Sequence, residues 1–159
     1  MLNPRYLERI KELAKLIHEK SDIYIIGRGA NFPMAMESAI KVQEVSYIHG
    51  HGFAGGELKH GPLALIDKGT PCVVLTAKDE TFPQIIGNAM EVKARGGYII
   101  GVGPEKNDVF DYWIKTPEVG DASPIVNIIP VQLLAYYLGV LRGCEIDYPR
   151  NLAKSVTVQ

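Results

Sequence analysis

The chain has 159 residues, 47% of them hydrophobic and 22% charged, with a net charge of -1. That length fits one domain, and a domain of ~150 residues buries roughly 70% of its unfolded surface, so no disulfide or metal staple is required. The near-neutral balance excludes a general field toward nucleic acid or an anionic membrane, and any anionic substrate must be held by local groups.

Apolar residues Tyr6, Leu7, Ile10, Leu13, Ala14 and Ile17 recur at helical spacing within residues 3–20. Ile23 to Ile26 is a short apolar run closed by Gly27-Arg28-Gly29, the pattern of a buried strand. A helix is expected over 33–47, with Pro33 in its first turn, where the missing N–H costs nothing. Pro71 to Thr76 reads as a strand. Residues 81–95 read as a helix stopped by Gly96-Gly97. Strands follow at 98–102 and 112–115, and a long helix at 122–142, with a bend expected at Pro130 and an end at Gly143. The apolar stretch from Ile125 to Leu141 is about 17 residues long, where a membrane span needs about 20. It contains Asn127, Pro130 and Gln132 and is bracketed by Asp121 and Arg142, so it reads as a core helix.

Short apolar strands alternating with helices imply βαβ units and a mostly parallel sheet covered on both faces. The expected fold class is therefore α/β: a three-layer αβα sandwich with flavodoxin-like strand order, forming a single domain over 1–159. Ligands of such sheets lie beyond the carboxyl ends of the strands, here near Gly27-Arg28-Gly29 and Thr76-Ala77. The glycines of that turn fit either a plain βα connection or a cradle that brings backbone N–H groups to an anion.

Glu37, Lys41 and Glu44 fall at i, i+4 and i+7 and share one helix face. Alone they fit a solvated salt-bridged stripe. The apolar residues around them also fit a stripe that lines a cavity and couples its charges. His49 and His51 alternate around Gly50 and would share a face on a strand, but no third ligand stands nearby, so no metal or other cofactor is assigned. His60 follows Glu57 and Lys59 and precedes the turn signal Gly61-Pro62, which puts it at an element end where functional groups are common. Cys72 and Cys144 lack metal spacing and read as core or incidental thiols. Lys154 stands in a tail with Leu152, Ala153, Val156 and Val158. The tail is either solvated or docked; docking would desolvate the amine and favour imine formation. Met1-Leu2-Asn3-Pro4-Arg5 shows no signal-peptide pattern, which makes the cytoplasm the expected compartment.

The segments Glu37 to Glu44, Tyr47-Ile48-His49, Gly56-Glu57-Leu58-Lys59-His60-Gly61-Pro62, Ala94 to Gly97, Val131 to Tyr136 and Pro149 to Val158 occur in the order of one family. From about Ile23 onward the chain resembles the second sugar-isomerase (SIS) half of glucosamine-6-phosphate synthases. The resemblance implies an imine between Lys154 and opened fructose 6-phosphate. It also implies proton transfer between C1 and C2 by Glu44, with Lys41 beside it, and ring opening assisted by His60 reaching in from a partner subunit. Gly27, Arg28, Gly29, Glu37 and Ala153 are then expected to contact substrate. A homodimer, or pairing with a first SIS half and a glutaminase domain, is expected, with neither nucleic acid nor membrane as partner.

Three departures stand out. The glutaminase cysteine and the Ser/Thr-rich phosphate loop of the family's first half have no counterpart here. His51 stands where the family usually has Glu, and Gln159 replaces a final Glu. Two other readings fit the same residues: a non-catalytic sugar-phosphate-binding or assembly module, and a stand-alone ketose/aldose isomerase.

Overall fold

A computed structural model of the chain describes residues 3–151. Ala153 and Lys154 lie outside the described residues. The elements are α1 (Pro4–Ile17), β1 (Asp22–Gly27), α2 (Asn31–Ser46), β2 (His49–Ala54), β3 (Pro71–Leu75), α3 (Phe82–Lys93), β4 (Tyr98–Gly103), β5 (Tyr112–Lys115) and α4 (Ser123–Leu141). Two short 3-10 turns, Gly55–His60 and Pro62–Leu65, join β2 to the loop before β3.

The strands form one parallel sheet in the order β2-β1-β3-β4-β5. This is the expected flavodoxin-like arrangement, with layers on both faces. Alternate residues of each strand feed two cores. Ile23, Ile25, Val73, Leu75, Ile100 and Val102 pack with α1, α2 and α4. Tyr24, Ile26, Cys72, Val74 and Ile99 pack with α3 and the 3-10 turns through Leu58, Leu63, Ile85 and Ala89. Burial of the Cys72 thiol pushes its pKa up to about 12, so it behaves as a core group.

Strand β2 has no apolar signature, and the sequence marks it only by two histidines that would share a face on a strand. Its alternation is His–Gly rather than polar–apolar. His49, His51 and Phe53 take the α3 side, and Gly50 and Gly52 face α2. A Cβ at Gly50 would stand 2.5 Å from the Ala39 carbonyl oxygen, and one at Gly52 would stand 2.8 Å from the Met36 Cα. The helix backbone thus rests directly on the strand. Gly50→Ala is expected to cost ~1–3 kcal/mol, the usual penalty for overpacking. Urea unfolding of the variant measures this, and an unchanged midpoint would show that the helix can lift away.

The helix α4 runs through Pro130 without interruption. By length and composition it would pass as a membrane span, yet Val131, Leu134, Ala135 and Leu138 are buried against the sheet and its neighbouring helices. Its outward side stays apolar, with Ile125, Tyr136 and Val140 exposed.

Candidate functional site

The helix α2 carries the charged stripe. Lys41 Nζ lies 2.7 Å from Glu44 Oε2 and 3.4 Å from Glu37 Oε1, so one ammonium joins two carboxylates. The three side chains are 30%, 41% and 31% exposed for Lys41, Glu37 and Glu44. The stripe is therefore half-open to solvent rather than sealed. The hydrogen bond from Lys41 to Glu44, followed by the nearby negative charges, raises the lysine pKa. The raised pKa keeps Lys41 an ammonium in the neutral range and disfavours the free amine that imine formation needs. Its contribution to folding is present below the ordinary lysine pKa and is lost only as pH rises through the raised value.

Beside the stripe, Phe32, Met36 and Ile40 are exposed on α2, and Ile125, Tyr136 and Val140 on α4, which packs against it. These apolar residues on adjoining helices are exposed to solvent.

The last described residues approach the same helix. Tyr47 caps α2 in a left-handed conformation, with φ of 57°. Its hydroxyl accepts a hydrogen bond from the Arg150 backbone N–H at 2.9 Å, and the Arg150 guanidinium lies 4.2 Å from the ring centroid. Residues 147–151 are thus anchored one helical turn beyond Glu44. Lys154 follows Asn151 by three residues, a span of at most ~10 Å of chain.

The Gly27-Arg28-Gly29 turn sits at the carboxyl edge, as expected. A Cβ at Gly27 would stand 2.3 Å from the Asn31 carbonyl oxygen, so glycine is needed for close strand–helix approach. The first amides of α2 are already used: Asn31 N–H donates to Arg28 O and Phe32 N–H to Gly29 O, while Pro33 has none. This favours the plain βα connection over an anion cradle. Arg28 Nε donates to Asn88 Oδ1 at 2.9 Å, Asn88 Nδ2 reaches Glu91 Oε2 at 3.4 Å, and Lys59 pairs with Glu91 at 2.9 Å. Arg28 therefore ties the turn to the Gly55–His60 segment through α3.

Sequence reading missed this tie and a second polar cluster. Asn127 Nδ2 donates to Asn31 Oδ1 and to Thr76 O, both at 2.9 Å, and its Oδ1 accepts from the Thr116 hydroxyl at 2.8 Å. The cluster pins α4 to the carboxyl edge. Only the polarity of Asn127 within an apolar helix hinted at it.

The structure separates the groups that were expected to act together. Glu44 is thirteen residues into a helix that starts at the carboxyl edge, so it lies ~20 Å from the Gly27–Gly29 turn. His60 is exposed at the end of its 3-10 turn, on the α3 side of the sheet, whereas α2 covers the other side. The sheet stands between Glu44 and His60. The His49 and His51 rings are 6.5 Å apart, and His51 Nε2 is bonded to Asp22. Among the described residues no group of three or more His, Cys, Asp or Glu is placed to hold a metal ion.

The SIS domain family matches residues 15–142. The chain is 48% identical over 155 residues to a glutamine–fructose-6-phosphate aminotransferase (isomerizing) of Pyrococcus horikoshii, and 49% identical over 155 residues to that of Thermococcus kodakarensis. Each match takes in 96% of this chain and 26% of the relative. The chain thus spans about a quarter of the length of those curated relatives. Among solved structures, the C-terminal domain of glucosamine-fructose-6-phosphate aminotransferase from Francisella tularensis superposes with a TM-score of 0.85 at 34% identity, over 91% of this chain and 42% of that one. A parallel sheet in this strand order, matched over most of its length at the level of sequence and of backbone, makes the chain a member of the SIS domain family.

Proposed function

We propose that the chain is the second SIS half of the isomerase region of a glutamine–fructose-6-phosphate aminotransferase, converting fructose 6-phosphate to glucosamine 6-phosphate within a larger assembly. The observation that supports this reading is the Lys41–Glu44 pair one helical turn from the anchored Arg150. The Glu44 carboxylate and the described residues 147–151, which precede Lys154 in sequence, meet at one helix end, and α2 also exposes Phe32, Met36 and Ile40.

In this reading the Lys154 amine condenses with the C2 carbonyl of the opened ketose and releases water, and ammonia supplied from glutamine by the rest of the assembly then adds at C2 and expels the Lys154 amine, leaving the free ketose imine. Glu44 takes the proton from C1 and returns it at C2, and Lys41 orients its carboxylate. His60 assists ring opening in a site completed by another subunit, which agrees with its place across the sheet from Glu44. A first SIS-type half supplies the phosphate contacts and covers the apolar face of α2 and α4. No metal or organic cofactor takes part.

The purified chain alone should turn over fructose 6-phosphate poorly, because remote phosphate binding normally supplies the energy that orients reacting carbons. Joined behind the N-terminal part of a full-length relative, it should reach ordinary enzyme rates of about 1 per second or more. Rates of that order from the chain alone would instead favour a stand-alone isomerase. No gain on assembly would favour the non-catalytic module.

A further inference from the structure

A cavity of about 370 Å³ opens at the amino edge of the sheet, on the α3 side and so across the sheet from α2. It is lined among others by Lys20, Asp22, Tyr24, His51, Asp67 and Thr70. None of these residues enters the chemistry proposed above. The stacked rings of Tyr24 and His51, 5.0 Å apart at 26°, form an apolar wall. Asp22 is fully engaged: Oδ1 bonds His51 Nε2 at 2.9 Å and Oδ2 accepts from the Ser21 hydroxyl at 2.6 Å. That bond fixes the imidazole and leaves its Nδ1 available, as an acceptor in the neutral ring and a donor in the imidazolium.

Two opposite charges on the lining have no ion-pair partner among the described residues. Lys20 Nζ lies over Gly69, 3.3 Å from where a Cβ would stand. Asp67 is anchored by the Thr70 hydroxyl, which donates to Oδ1 at 2.7 Å, and its second oxygen makes no hydrogen bond among the described residues. Lys20 and Asp67 both contribute to the lining of this cavity and form no ion pair with each other. A ligand that satisfies both must carry an anion for Lys20 and an ammonium for Asp67. Its body must fit against an aromatic wall, as the C–H face of a sugar ring does. The volume lies within the roughly 300–1,000 Å³ of small-molecule sites.

We infer that the cavity between Lys20, His51 and Asp67 is a second small-molecule site for an amino-sugar phosphate, separate from the Glu44 site. The chemistry of ammonium plus anion is shared by α-amino acids. The choice of the amino sugar rests on the function proposed above, whose product has that form.

The test is amide-resolved NMR titration of the full chain with glucosamine 6-phosphate, glucose 6-phosphate, glucosamine and glutamate in parallel. Glucosamine 6-phosphate is expected to shift amides at residues 20–24, 49–52 and 67–70, and to bind at least about fivefold more tightly than the two sugars that lack one charge. Lys20→Gln and Asp67→Asn should each weaken it about five- to tenfold, the loss of one charged hydrogen bond at a half-open site. Asp67→Asn keeps the acceptor for Thr70, so the loop stays in place. Lys59→Gln, outside the cavity, should change nothing. Equal binding by glucose 6-phosphate, shifts produced only by glutamate, or shifts confined to residues 37–47 and 147–151 would each overturn the site. The last of these would leave the proposed function standing. A failure of catalysis in the assembled enzyme, with the cavity shifts intact, would remove the function and leave the site.

Discussion

Glu44→Gln, placed in the enzyme assembled with the N-terminal part of a full-length relative, is expected to lower kcat by ~10²–10⁴-fold, the usual contribution of a positioned acid–base group. The amide keeps the shape of the carboxylate and still offers an oxygen to Lys41, which now lies 2.7 Å from the Glu44 carboxylate. Folding should therefore be spared: the ion pair is about a third exposed, and exposed pairs contribute only ~0–1 kcal/mol. Steady-state kinetics beside a thermal melt separate the two effects. A variant that keeps kcat within about threefold of the parent would remove Glu44 from the chemistry and return the stripe to an ordinary salt-bridged helix face.

Lys154→Arg is expected to abolish turnover in the same assembly and to abolish trapping. Borohydride added with fructose 6-phosphate reduces an imine to a stable amine, so the parent should carry a sugar adduct on Lys154. Lys41 should be spared, because its bond to Glu44 raises its pKa and keeps it protonated. An unperturbed lysine has a pKa near 10.4, so most surface lysines are also protonated at neutral pH. Arginine keeps the charge and loses the reaction, because a guanidinium does not give up its proton. Peptide mapping by mass spectrometry reads the adduct. Label spread over Lys11, Lys15, Lys59 and other surface lysines, or label unchanged in the arginine variant, would make Lys154 an ordinary tail residue.

Periodicity made most of the fold legible. The buried strands at Ile23, Pro71 and Tyr98 are continuous apolar runs, and parallel strands covered on both faces have that signature. The strand β2 escaped because its packing face is glycine. The α2 backbone leaves no room for a Cβ at Gly50 or Gly52, so the strand shows no hydrophobic alternation. The charged stripe was legible because i, i+4 and i+7 fix a helix face without tertiary information.

What the stripe faces was not legible. Spacing shows which residues share a side, whereas the end of the sheet they reach depends on the direction of α2. That direction carries Glu44 away from the Gly27–Gly29 turn, where strand topology alone had suggested a ligand. The anchoring of Arg150 on Tyr47 also lacked a sequence signal. It depends on Tyr47 adopting positive φ and meeting Arg150 from 103 residues away. The Arg28–Asn88 and Asn127 clusters join residues from three or four elements, and nothing in the local pattern marks such partners.

The split between Glu44 and His60 is the centre of the proposed function, and mixed assemblies test it most directly. Two inactive variants of the assembled enzyme, Glu44→Gln and His60→Ala, would be denatured, mixed in equal amounts and refolded together. In a dimer with sites built from both subunits, about half the molecules are mixed, and each of these carries one site with Glu44 from one chain and His60 from the other. Activity should return to ~25% of the parent, with each variant refolded alone remaining inactive. A mixture as inactive as its components, with mixed dimers demonstrated by mass spectrometry, would mean that Glu44 and His60 do not serve one substrate across subunits, and would contradict the account.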